Sequence, residues 1–228
     1  MTGSEQDLAA LLITLKLAAL TTVILLLLGT PLAWWLARTR WRFKFLLEAV
    51  VALPLVLPPV VMGYLLLITF GTKAPVGQWL LEHFGIRFMF SWTGAALAAA
   101  IVTFPFQVRA IRLALEAIDP GLREAAATLG AGPVDRFFHI TLPLALPGII
   151  AGAITAFAAS LGEFGAIITF VSNVPGETRT LPLAIYSALQ APGGESVAAR
   201  LAGLSILLAL IGLALSEVAA AKVKRMME

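Results

Sequence analysis

Apolar residues run along this chain in long unbroken stretches. They show neither the strict alternation of a half-buried strand nor the narrow stripe of a helix lying on a soluble core. Five stretches, Leu17 to Ala37, Ala49 to Thr72, Phe90 to Val108, Leu144 to Phe170 and Leu201 to Ala221, reach the roughly 20 helical residues that a hydrocarbon layer about 30 Å thick requires. The pattern predicts an all-α polytopic bundle of five transmembrane spans, forming one membrane domain over residues 1–228. Two connections, Arg109 to Pro143 and Ser172 to Arg200, are too long for simple turns, so each is expected to carry structure of its own.

Composition agrees with the pattern: 60% of residues are hydrophobic and 13% charged, against roughly 25% charged in soluble domains. The absence of cysteine excludes disulfides, thiol catalysis and Cys-based zinc sites. His83 and His139 are far apart and read as loop or interface residues, so no metal site is expected. A net charge of +3 does not predict nucleic-acid binding, because the basic residues form short groups between apolar stretches. They report orientation instead. Arg38, Arg40, Arg42 and Lys44, then Arg109, Arg112, Arg123 and Arg136, then Lys222, Lys224 and Arg225 make eleven of sixteen Lys and Arg on one side of the predicted topology. That side is expected to be cytoplasmic, with the N-terminus outside and the C-terminus inside. Glu5 and Asp7 precede the first stretch and the basic cluster follows it, which reads as a retained span and not a cleaved leader. Trp34 and Trp35 fit either an aromatic belt or a packed interface.

The long connection between spans three and four reads as an elbow of two short helices. Asp119-Pro120 supplies an N-cap with proline in the first turn, and Gly130 is placed to end that helix. Leu122, Ala125, Ala126 and Leu129 share one small apolar face, with Arg123 and Glu124 outside it. A second helix starts at Pro133 and runs to Pro143, which introduces span four. Alanine on a contact face lets another surface approach the backbone closely, so the elbow suits docking; an amphipathic pair lying on the membrane surface is the alternative.

Span two contains Pro54, Pro58, Pro59 and Gly63. Each proline frees a carbonyl, and broken backbone is tolerated in a membrane only where protein or a watery cavity re-partners it. Span two therefore reads as lining a path, or as a kink packed on its neighbours. Span four carries Glu163, flanked by Ser160, Gly162 and Gly165. A carboxyl inside an apolar helix marks a gate element or a structural pair with a base such as Arg179. Lys16 is expected to extend its ammonium toward the outer interface, or to attract an anion.

The elbow also carries Glu124-Ala125-Ala126, three residues, Gly130, nine residues, then Ile140, Leu142 and Pro143 around Thr141. This resembles the EAA signature of bacterial binding-protein-dependent ABC importer permeases. Leu53 to Leu67, Phe104 to Glu116 and Ser160 to Glu195 are similar to the molybdate permease subfamily, while sulfate permeases share the elbow. The resemblance implies a type I ABC importer permease fold in a bacterial cytoplasmic (inner) membrane, whose coupling helix rests on a separate ATPase. Glu124 would make polar contacts at the docking rim, Ala125 and Ala126 would permit close approach, and Gly130 would turn the chain. ATP and magnesium would be used by that partner, with no cofactor and no catalytic residue in this chain, which lacks a phosphate-binding G-x-x-x-x-G-K-[ST] loop. Five spans make a thin wall, which predicts a homodimer with the path at its interface. The implied assembly adds two cytoplasmic ABC ATPase subunits and an external molybdate-binding protein, and membrane lipid surrounds the permease itself. The implied cargo is molybdate, with tungstate as a second candidate; a sulfate or thiosulfate permease and a stand-alone secondary transporter are the competing readings.

Overall fold

The computed structural model describes the backbone of residues 3–227 and the side chains of residues 5–214 and Val218. Lys222, Lys224 and Arg225, counted above for orientation, lie outside the described side chains. Every regular element described is helical.

Helix α1 spans Gly3–Arg38, starting well before the expected Leu17, because residues 8–13 are also apolar and two of them, Ala10 and Leu11, pack beside Leu181 and Leu201. Lys16 consequently sits within the helix, its Nζ 3.5 Å from the centre of the Trp92 ring, so an aromatic face receives the ammonium. The second span is two helices, α2 (Lys44–Val56) and α3 (Pro59–Phe70), meeting at a bend of 116°. Pro58 and Pro59 cannot donate to the preceding turn, and the Pro58 carbonyl instead accepts from Val61 N at 2.9 Å to start α3. A short amphipathic helix, α4 (Pro75–Phe84), follows between the second and third spans.

Helix α5 (Trp92–Glu116) is the centre of the bundle. Its run of Gly94, Ala95, Ala96, Ala98, Ala99 and Ala100 is buried because such small residues let neighbouring backbones come close, which is how helices associate where lipid removes the usual hydrophobic drive. Helices α6 (Pro120–Thr128) and α7 (Pro133–Arg136) form the elbow. Span four does not begin near Leu144 as expected: α7 passes through a π-helical turn at Phe137–Thr141 directly into α8 (Leu142–Leu161). Pro143 has no N–H and its ring crowds the carbonyl four residues back, and a wider turn relieves both. Nor is span four continuous to Phe170, since it breaks at residues 162–164 and resumes as α9 (Gly165–Val171). Helix α10 (Leu181–Gln190) is structure inside the second long connection, and α11 (Glu195–Met227) closes the bundle. Among the described residues four helical runs are long and apolar enough to cross a membrane, and the bent α2–α3 pair, taken as one span, makes a fifth.

Candidate functional site

The elbow forms as its capping residues dictate. Asp119 Oδ1 accepts from Gly121 N at 2.8 Å, and α6 closes with Gly130 N donating to Ala127 O and Ala131 N to Ala126 O, both 3.0 Å. Gly130 holds φ +88°, a conformation L side chains avoid, which is why glycine stands there. Of the predicted apolar face, Leu122, Ala125 and Leu129 are exposed and Ala126 half-buried; Leu129 is 88% exposed at the elbow's tip. Glu124 is exposed beside them, Ile140 and Leu142 are half-buried, and Pro143 lies on the surface of α8.

Close packing ties this elbow to the bundle. A Cβ on Gly148 would run into the Ala114 side chain, and one on Gly152 would lie 3.1 Å from both Ala110 Cβ and Gln107 Oε1. Helices α5 and α8, the two that flank the elbow, are thereby pressed together. At the elbow end the Trp34 ring meets Phe137 edge-on at 5.4 Å, so at least one tryptophan is packed and not simply a belt residue. Beside it, Arg112 bonds Glu48 at 2.7 Å and Glu116 at 3.3 Å, with Lys44 3.4 Å from Glu48, which joins α2 to α5. Both i,i+4 pairs of this ionic group are legible in the sequence, whereas their meeting across α2 and α5 is not.

The two helix breaks lie against each other. A Cβ on Gly165 would come within 2.7 Å of Pro59 Cβ, and one on Gly63 within 2.7 Å of Ala166 O and Thr169 Cβ. Pro59 and Gly63 on one side and Gly165 on the other thus seat α3 against α9, and Pro58, Gly162 and Glu163 are the adjoining residues of the two breaks. Ser160 borders the second break, its Oγ donating to Ala156 O at 2.7 Å and 3.5 Å from Thr103 Oγ1 on α5. Thr103 is eleven residues inside α5, or roughly 16 Å along the axis.

Glu163 is only 8% exposed, and its Oε1 accepts from Ala166 N at 2.9 Å, with the amides of Phe164 and Gly165 also facing the carboxylate. Its carboxylate accepts amides at the start of α9, where burial shields them from solvent. Pairing with Arg179 does not occur: the Arg179 Nε donates to Asn173 Oδ1 at 2.9 Å, inside the connection before α10. Lower in α5, Gln107 is fully buried, and neither its Oε1 nor its Nε2 has a partner. A lone amide in an apolar stretch was the available signal, and it went unread. His139 pairs with Asp135 at 2.7 Å on the surface, and His83 stacks on Trp79.

Residues 29–225 match the family described as binding-protein-dependent transport system inner membrane component. The chain is similar to the molybdenum transport system permease protein ModB of Escherichia coli (strain K12), 56% identical over 94% of this chain and 93% of that one. The ModB of Haemophilus influenzae is 53% identical over 92% of each chain. Similarity to the Escherichia coli sulfate transport system permease protein CysT is lower, 35% over 90% of this chain and 75% of that one. Among solved structures, an inward-facing MetNI methionine ABC transporter superposes with a TM-score of 0.75 at 17% identity, covering 94% of both chains.

Proposed function

The chain belongs to the family of binding-protein-dependent transport system inner membrane components, and from that premise we propose that it is the permease through which an ATP-driven importer moves molybdate. One observation carries the substrate assignment: 56% identity to a molybdenum permease across nearly the whole chain, against 35% to a sulfate permease. The permease works with an ATPase and a substrate-binding protein. In this reading it pairs with a second copy of itself, two ATPase subunits sit below, and the binding protein delivers cargo from outside. The N-terminus is outside and the C-terminus cytoplasmic.

The geometry supports a mechanical route. The exposed face of α6 docks in a cleft of the ATPase, with Glu124 at the rim and Ala125 and Ala126 in close approach. ATP binding draws two such subunits together, and the contact biases a membrane element that has two arrangements. Because Gly148 and Gly152 leave no slack between α5 and α8, a push on the elbow moves both helices as a unit. Their motion reaches the junction at Ser160 to Gly165, where α9 bears on Pro59 and Gly63 of the bent span. We assign this junction to the gate region of the path. Glu163 serves it by holding the broken helix together and not by meeting the anion, since an ionised acid repels a dianion.

The assembled transporter, reconstituted in vesicles with its ATPase and binding protein, tests the assignment. Molybdate and tungstate should compete for uptake while sulfate in excess does not. Sulfate preference would overturn the substrate, and uptake without the ATPase would overturn the importer reading.

A further inference from the structure

Where α1 ends against the elbow, two adjoining cavities of about 220 and 260 Å³ open, and Arg38, Pro120, Arg123 and Thr141 wall both. Three guanidiniums converge there from three elements: Arg38 at the end of α1, Arg123 on α6 and Arg136 on α7. Arg38 is near enough to Arg123 and Arg136 to feel the charge of each. None of the three makes an ion pair among the described residues. Arg38 stacks on Trp34 at 4.7 Å and donates to Thr141 Oγ1 at 3.2 Å, and Arg136 donates to the carbonyls of Gly132 and Arg123, both at 3.4 Å. The Arg123 Nε is shielded from solvent and has no partner. Two acids face the space. Glu116 is already engaged by Arg112, and Glu124 stands on the rim without a bond to any of the three.

Gathering like charges costs energy unless a counter-charge fills the gap, and guanidinium forks match the oxygens of a tetrahedral anion. We propose that Arg38, Arg123 and Arg136 form a binding site for a phosphate-class oxyanion, occupied by the phosphodiester headgroup of an anionic lipid. The lipid source follows from the surroundings: Trp34, on which Arg38 stacks, keeps part of its ring exposed, and Trp35 and Trp41 are exposed on the chain adjoining Arg38. Amphipathic rings of this kind lie at headgroup depth, and basic pockets on the cytoplasmic side of a bundle take anionic headgroups. The inference rests on the proposed cytoplasmic placement of the elbow. A bound headgroup would join the end of α1 to both helices of the elbow.

Native mass spectrometry of the full-length chain, purified in detergent and titrated with phosphatidylglycerol or phosphatidylcholine, tests the site. The phosphatidylglycerol adduct should persist under activation that strips phosphatidylcholine. Removing two charge-assisted contacts in Arg123→Gln/Arg136→Gln should weaken that adduct at least about tenfold. Arg40→Gln/Arg42→Gln removes the same charge from the same end of the bundle outside the cavities and should retain it. Arg38→Gln, at the end of α1, supplies a variant that leaves the elbow untouched and should also weaken binding. Equal loss in the two double variants would overturn the site. Displacement of the lipid by millimolar inorganic phosphate would overturn the lipid source, and displacement by the purified ATPase would assign the arginines to the docking face instead. Binding in detergent does not depend on membrane sidedness or transport, so failure here and failure of the importer reading are separate results.

Discussion

Replacing Glu163 separates a helix cap from a charged gate. In Glu163→Ala the Ala166 amide loses an acceptor at 2.9 Å, and the amides of Phe164 and Gly165 lose the carboxylate they face, in a site almost closed to water. A hydrogen bond to a charged group contributes about 1.5–3 kcal/mol and a neutral one about 1 kcal/mol. The alanine variant should therefore lose about 1.5–3 kcal/mol, most of it at the α8–α9 break. Glu163→Gln keeps an oxygen acceptor at the same reach and exchanges a charged bond for a neutral one, a loss of about 1 kcal/mol. Thermal unfolding of the purified chain in detergent ranks the three proteins, and uptake by the reconstituted transporter reports function. Wild type, glutamine and alanine should fall in that order in stability, with the glutamine variant transporting nearly normally. A glutamine variant that is as stable as wild type yet inactive would show that the charge itself works in the path. An alanine variant that unfolds like wild type would remove the cap.

Three further outcomes follow from the packing. Gly63→Ala places a methyl group 2.7 Å from Ala166 O and should cost about 1–3 kcal/mol by forcing α3 from α9, whereas Gly203→Ala meets nothing within 4 Å; equal melting temperatures would refute the close seat. Gln107→Leu removes an amide with no partner and should leave stability unchanged or raise it, so a drop beyond about 2 kcal/mol would reveal a bond or buried water there. Glu124→Arg should leave the permease inserted in the membrane but prevent co-purification of the ATPase, and normal association would remove Glu124 from the docking rim.

Much of the architecture was legible in the chain because its causes are local. The apolar run length determined where spans lie, and Asp119, Pro120, Gly130 and Pro133 delimited the elbow by chemistry that acts within a few residues. Pro58 and Pro59 announced a break, though not its 116° bend. The extent of α1 and the interruption of span four were misjudged, since hydropathy measures how apolar a segment is and not whether its helix continues. What only tertiary structure decided is which surfaces meet. Gly63 and Gly165 are distant in sequence yet press α3 onto α9, Glu163 turns to its own backbone and not to Arg179, and the three arginines beside the elbow come from separate helices. In a membrane, lipid and protein interior are equally apolar, so a side chain's polarity does not tell which of the two it faces. Shape does, and shape exists only once the helices are assembled.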